Sequence, residues 1–227
     1  MSTLSIVIPA YEEASRLPPT LARLAEVAPP GTEVLVIDDG SRDGTADAAR
    51  AAGVGVISLP ENRGKGAAVR QGLCSAAGEI IAFMDADGSI PPADVLRLVA
   101  AVGAGADIAV ASRVAPGAAE VGDQSLVREL ASSAFRALVR IAAPTGVRDT
   151  QCGAKAFRRE AARTLAAAQT LDGFAFDVEL LWLARRAGLR VVEVPVRVEH
   201  HRASKVGMLR HAAPMLLDLW RMRLRHR

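Results

Sequence analysis

Ile80-Ile81-Ala82-Phe83-Met84-Asp85-Ala86-Asp87-Gly88 carries five apolar, β-prone residues into two carboxylates separated by one small residue and closed by a glycine. An unbroken apolar run of this length, bounded by turn residues, reads as a strand buried on both faces that ends at an acidic site. On an extended backbone residues two apart project to the same side. Asp85 and Asp87 can therefore share one divalent cation, or one can hold metal while the other takes a sugar or ribose hydroxyl. The competing reading is an Asp-rich turn, with Asp and Gly chosen for backbone conformation. The motif by itself leaves both open.

The residues before it supply the context. Leu4 to Ile8 reads as a strand stopped by Pro9, and Leu17, Leu21, Leu24 and Ala28 have helical spacing. Glu33 to Ile37 is a second strand, Thr45 to Ala52 a helix, and Val54 to Leu59 a third strand. Alternating strands and helices predict right-handed βαβ units, hence an α/β protein with a mostly parallel central sheet flanked by helices. Ligands of such sheets sit at the carboxyl ends of the strands. Those ends are Pro9-Ala10-Tyr11-Glu12-Glu13, Asp38-Asp39-Gly40-Ser41, Glu61-Asn62-Arg63-Gly64-Lys65-Gly66 and the acidic motif itself. Four successive polar strand ends point to one shared site. Gly64-Lys65-Gly66, before a helix expected over Ala67 to Ala77, resembles a phosphate cradle but lacks the P-loop spacing, and no G-x-G-x-x-G follows the first strand. A P-loop NTPase and a dinucleotide-dependent dehydrogenase are thereby set aside.

Composition agrees. Of 227 residues half are hydrophobic while aromatics make up 4%, so the core must be built from Ala, Val, Leu and Ile, which suits α/β layers. Two cysteines are too few for a disulfide framework or a cysteine-rich metal site, and a reduced, cytoplasmic compartment is expected. The first residues enter a strand without a basic, then apolar, leader. No uncharged apolar run reaches the length of an integral span. Residues 200–227 hold seven of the 28 Lys and Arg and one of the 25 Asp and Glu, leaving 21 basic and 24 acidic side chains before them. The basic character belongs to the tail, where it suits nucleic acid, anionic lipid or a phosphorylated ligand.

Beyond the acidic motif the pattern predicts a helix over Pro92 to Val102, a strand over Asp107 to Ser112 followed by Arg113, and a mobile Gly/Ala-rich loop from Ala115 to Ser125. Leu126 to Ile141 reads as a helix with Arg128 and Ser132 one turn apart. Asp149 to Phe157 is a polar turn with a short strand, and Arg159 to Ala168 a helix. Asp177 stands where it can cap a helix over Val178 to Arg186. Val191 to Val198 alternates like a late strand, and Pro195 favours a sheet edge. His200 and His201 are adjacent, point to opposite faces of an extended chain and do not make a zinc site. In the tail, Met208, Ala212, Met215, Leu219 and Met222 form an apolar stripe with Leu216 and Trp220 beside it and arginines around it. That suits a helix lying on a membrane surface, or one docked on its own domain or on a second copy, a homodimer. Pro214 argues against a single straight helix. Residues 1–205 read as one domain and 206–227 as a basic amphipathic extension.

Taken together, S-I-V-I-P-A-Y-E-E, V-I-D-D-G-S-R-D-G-T, E-N-R-G-K-G-A-A-V-R-Q-G, F-M-D-A-D-G and D-T-Q-C-G-A-K-A-F resemble the inverting family 2 glycosyltransferases of GT-A fold, and among them the polyprenyl- and dolichyl-phosphate hexose synthases. The likeness runs from residue 4 to about 205. It implies a Rossmann-like sheet, a nucleotide-sugar donor, a polyprenyl-phosphate acceptor, Mg²⁺ or Mn²⁺ as cofactor, and no nucleic-acid partner. The Gln151-Cys152-Gly153 segment is more like the glucose-type synthases, which favours a UDP-hexose.

Carried onto this chain, the resemblance implies that Pro9, Tyr11, Glu13, Asp38 and Asp39 hold the nucleobase and ribose. Lys65 closes on the nucleotide, Asp85 and Asp87 take metal and diphosphate, and Arg113, Arg128, Ser132, Gln151, Arg202, Ser204 and Lys205 grip acceptor or donor phosphate. An ionised phosphate acceptor needs no strong base, whereas a hydroxyl acceptor would need one, for which Asp177 or Asp149 is the candidate. A nucleotide-sugar-binding protein without turnover is the alternative from another class. Gly88-Ser89 replaces the longer polar residue found in many relatives, leaving a third metal ligand unassigned. Transmembrane helices that follow the catalytic domain in some relatives are not matched, so membrane contact is expected to be peripheral, on the cytoplasmic face.

Overall fold

The computed structural model describes residues 3–121, 133, 136–199 and 208–226. Strand β1 (Leu4–Ala10) is buried along its whole length, and β4 (Ile80–Met84) likewise, as their unbroken apolar sequences require. With β2 (Glu33–Asp38), β3 (Gly55–Ser58), β5 (Ile108–Ser112), β7 (Ala154–Arg158) and β8 (Val191–Pro195) they form a seven-stranded sheet in the order β3-β2-β1-β4-β7-β5-β8. All neighbours are parallel except β7, which runs antiparallel to both β4 and β5.

Helices cover both faces. Successive strand residues face opposite ways, so Val7, Ile81 and Phe83 join one core while Ile6, Ile8, Ala82 and Met84 join the other. The first core is covered by α3 (Lys65–Ser75), α5 (Arg159–Ala168), α6 (Phe176–Arg186) and the tail helix α7 (Met208–Arg225). The second is covered by α1 (Leu17–Val27), α2 (Thr45–Ala51) and α4 (Pro92–Gly103). Few aromatics are present, and three of them meet: Phe83 lies 6.1 Å from Phe157 and 5.9 Å from Phe176, centroid to centroid.

Most expected elements are found within two residues of their read positions, and several differences are instructive. The short strand expected within Asp149 to Phe157 is present and is a central one, inserted antiparallel between β4 and β5. The stretch from Ala115 is not all loop: β6 (Ala119–Val121) pairs with β9 (Arg197–Glu199) in a second, two-stranded sheet. The late strand is divided accordingly, β8 ending at Pro195 on the sheet edge and β9 leaving for the small sheet. Of the helix expected over Leu126 to Ile141, residues 136–142 are helical and Arg128 and Ser132 lie outside the described residues, as do Arg202, Ser204 and Lys205. Helix α7 runs unbroken through Pro214. Its Met215, Leu219 and Met222 are buried in the first core, so this face packs on the domain. Gln151 Nε2 donates to Met215 Sδ at 3.2 Å.

Candidate active site

Because β1, β2, β3, β4 and β5 are parallel, their carboxyl ends share one sheet edge. The antiparallel β7 brings its amino end to that same edge, with Ala154 opposite Met84. Gly153 is thereby placed against Asp85. Its carbonyl accepts the Asp85 N–H at 3.1 Å, and a Cβ built on Gly153 would lie 2.2 Å from Asp85 Oδ2. Only the absence of a side chain there gives the Asp85 carboxylate its position.

Lys65 is the first residue of α3 and reaches Asp85, Nζ to Oδ1 2.6 Å. Helix α3 can begin there because Gly64 adopts φ of 107° and lies against the Asp172 carbonyl, while Gly66 fits against the Leu171 carbonyl and Phe176 Cβ. Burial disfavours the Lys65 ammonium, yet the charges of Asp85 and Asp177 outweigh it and raise its pKa. Burial likewise raises the Asp85 pKa against the pull of Lys65, and the nearby Asp87 adds to the rise. A cation and two carboxylates are held together in one partly buried place, an arrangement suited to receiving an anion together with its counter-cation.

Asp87 lies two residues further on, in the turn that follows β4. Its Oδ1 accepts the Ser89 N–H at 3.0 Å in an Asx-type turn, so the acidic pair is both a turn and a site. Its second oxygen makes no hydrogen bond among the described residues. No group of three or more His, Cys, Asp and Glu side chains suited to a metal occurs among the described residues. Two carboxylates nevertheless suit a hard, oxygen-seeking cation that takes its remaining ligands from other oxygen donors.

Two buried ion pairs lie behind this front. Lys155, on β7 and fully buried, bonds Asp177 through Nζ and donates to the Cys152 carbonyl at 3.2 Å. The Asp177 cap reading is thereby corrected: Ala175 is the N-cap of α6, no side chain caps it, and the Asp177 carboxylate turns to Lys155. Arg113 grips the buried Asp149 with two side-chain bonds of 2.8 Å and its own N–H at 3.0 Å. Burial pushes Asp149 up, but the Arg113 hydrogen bonds and charge prevail and its pKa is lowered.

The first two strand ends are tied to each other. Glu12, with φ of 55°, is the single non-glycine residue with positive φ among the described residues, and its N–H donates to Ser41 Oγ at 2.9 Å. Glu13 N–H donates to Thr45 Oγ1, and Asp38 Oδ1 accepts the Ser41 N–H at 3.1 Å. Both oxygens of Asp39 are taken by the N–H groups of Arg63 and Gly64, at 2.9 and 2.8 Å. Asp39 thus clamps the loop that delivers Lys65. Pro9 is buried in β1, whereas Tyr11 is exposed beside the site. Lys155, Gly153, Thr45 and Asp172 are the residues that sequence reasoning did not single out. Lys155 and Gly153 stand inside the quoted D-T-Q-C-G-A-K-A-F motif, but only the antiparallel course of β7 reveals what they touch.

Among solved structures, the fold matches glucosyl-3-phosphoglycerate synthase from Mycobacterium tuberculosis in complex with Mn²⁺, UDP-glucose and phosphoglyceric acid, with a TM-score of 0.75 and 25% identity over 96% of this chain and 78% of that one. This is the GT-A fold. Residues 5–166 match the family described as glycosyl transferase family 2. The chain is 38% identical to a dolichyl-phosphate beta-glucosyltransferase of Drosophila melanogaster over 89% of this chain and 69% of the relative. It is 35% identical to the Homo sapiens protein of that name over 98% and 75%. The chain belongs to glycosyl transferase family 2 and is a glycosyltransferase akin to the dolichyl-phosphate glucosyltransferases.

Proposed function

We propose that the protein transfers glucose from UDP-glucose to a polyprenyl or dolichyl monophosphate, with inversion, and with Mg²⁺ or Mn²⁺ as cofactor. The observation that carries the acceptor choice is the fate of the two candidate bases. Asp177 is bound by Lys155 and Asp149 by Arg113, so neither carboxylate is offered to deprotonate a hydroxyl. A phosphate monoester is already ionised at neutral pH and attacks the anomeric carbon without a base. The relatives' names support the same acceptor class.

Asp87, with Asp85 beside it, would hold the cation, which when bound neutralises charge on the diphosphate. Lys65 supplies a fixed positive charge where charge grows on the leaving nucleoside diphosphate. Its pairing with Asp85 keeps the ammonium in place before the donor arrives, so little reorganisation is required. The strand-end loops of β1 and β2, tied together through Glu12, Ser41 and Thr45, wall the donor's nucleoside side. Displacement from the face opposite the diphosphate accounts for inversion. Residues 1–205 would act as the catalytic domain, with 206–227 completing its core from outside.

The test is incubation with labelled UDP-glucose, Mn²⁺ and a polyprenyl phosphate. A chloroform-soluble, β-linked glucosyl phosphate is the expected product. Labelled product formed solely on a water-soluble alcohol would overturn the phosphate-acceptor reading.

A further inference from the structure

Two lysines serve the acidic edge from different depths. Lys65 pairs with Asp85 at the front, 2.6 Å apart. Lys155 is fully buried and stands opposite Phe83 in the register of β7 with β4. Phe83 and Phe157 face the first core, and alternate positions of a strand share a face, so Lys155 projects among apolar side chains. A buried ammonium is costly unless charge and hydrogen bonds compensate it. Here the compensation is the Asp177 carboxylate, the Cys152 carbonyl at 3.2 Å and the Phe83 ring, 5.3 Å from Nζ to its centroid.

The aromatic rings set the spacing between the two ammoniums. Lys65 Nζ lies 6.0 Å from the Phe176 centroid, Phe176 lies 5.9 Å from Phe83, and Phe83 meets Lys155. Asp177 follows Phe176 in the chain and belongs to both lysines: Lys155 bonds it, and its charge reaches Lys65. Burial disfavours the Lys65 ammonium, and of the charges that offset this Asp85 is the larger and Asp177 the next. Lys65 therefore has two carboxylates within its reach of influence. Asp177 is the more buried of them, and attraction between charges grows as solvent is excluded. An Asp177 that nothing else bonded would draw Lys65 inward, away from Asp85.

We propose that Lys155 is a positioning residue for the transfer: by bonding Asp177 it leaves Lys65 to Asp85, and so to the donor diphosphate. One segment then arranges both members of the front pair. Gly153, two residues before Lys155, gives the Asp85 carboxylate its place, and Lys155 keeps the Lys65 ammonium beside it. The assignment rests on the proposed role of Lys65 at the diphosphate.

The experiment is calorimetric titration of UDP, with Mn²⁺ present, into the full chain and into Lys65→Met, Lys155→Met and the double variant. Lys65→Met and Lys155→Met should each weaken UDP binding about tenfold. The double variant should bind no more weakly than Lys65→Met, because Lys155 acts through Lys65. A purely structural role for Lys155 predicts instead that the two losses multiply to about a hundredfold, and that result overturns the proposal. Lys155→Met leaves Asp177 buried without its countercharge, so the cycle is repeated with Lys155→Gln, which keeps a hydrogen-bond donor and loses the charge. A loss of about threefold is expected there, again absent in the Lys65→Met background. Adding Asp177→Asn to Lys155→Met removes the competing charge and should restore most of the lost affinity; no recovery in a folded double variant overturns the proposal. Unchanged UDP binding in Lys65→Met overturns it together with the role of Lys65. The expected UDP affinities, found without transfer to polyprenyl phosphate, would support the positioning role and count against the acceptor reading alone.

Discussion

Gly153 and Asp85 lie at the ends of two neighbouring strands and touch so closely that a methyl group on Gly153 would occupy the place of the Asp85 carboxylate, 2.2 Å from Oδ2. The contact exists because β7 enters the sheet antiparallel beside β4. It makes a backbone position part of the site's geometry, and the clash falls on a side-chain end that can rotate away.

Gly153→Ala is therefore expected to keep the fold and lose the chemistry, with transfer down about 100-fold or more and a nearly unchanged melting temperature. Gly66→Ala should behave differently. Its Cβ would lie 2.6 Å from the Leu171 carbonyl and 2.7 Å from Phe176 Cβ, so neighbouring backbone must move and stability itself should fall. Paired thermal melts and initial rates on the two variants separate the outcomes.

Replacing Lys65 by Met removes the charge that faces Asp85 and that the proposed reaction sets against the leaving diphosphate. A loss of about 10² to 10³ in turnover is expected, measured at saturating donor. The pair also has a pH signature. Asp85 is raised above its ordinary value of 3.8, so the folded state holds the proton more tightly than the unfolded state. Its contribution to stability is thus greatest at low pH and declines as pH rises from about 3.8 through the raised value. Urea midpoints across this window should change less in Asp85→Asn than in wild type.

Asp149 has the opposite sign. Held below 3.8 by Arg113, it contributes stability above the ordinary carboxylate value that is lost as pH falls through its depressed value. Arg113→Leu leaves the carboxylate buried without a countercharge and should cost about 3 kcal/mol at neutral pH. The acid side of the urea stability profile should flatten in that variant.

The cysteines should differ in reactivity. Cys152 is buried and its thiol is pushed up to about 12 by desolvation, whereas Cys74 is exposed. Alkylation of the folded protein in mildly alkaline buffer, followed by mass spectrometry, should yield one adduct, on Cys74.

The tail helix should prove integral to the core. Leu219 and Met222 are buried against the domain, so Leu219→Ala is expected to destabilise by about 2 to 4 kcal/mol. Thermal unfolding of the full-length variant checks this, and an unchanged melting temperature would remove the helix from the core.

Much was legible in the sequence because it is written in local patterns. The continuous apolar runs of Leu4 to Ile8 and Ile80 to Met84 announce strands buried on both faces, their alternation with helical spacings announces a parallel sheet, and such a sheet gathers its strand ends at one edge. The acidic pair, Lys65 and the two preceding strand ends could therefore be assigned to a common site, and the ordered motifs to a family, from local pattern alone. Partnerships between distant segments were not legible, since nothing local encodes them. That Asp177 turns to Lys155 instead of capping its own helix, that Asp149 is bound by Arg113, and that Asp39 clamps residues 63 and 64 follow from where β7 is inserted and how the loops close. The opening stretch shows the division most plainly. Its residues determined a buried strand with two carboxylates at its end, because hydrophobicity and period act along the chain. The tertiary structure decided that Asp85 faces Lys65 and Gly153 while Asp87 keeps one oxygen free of protein partners among the described residues, because long-range packing alone sets which side chains meet.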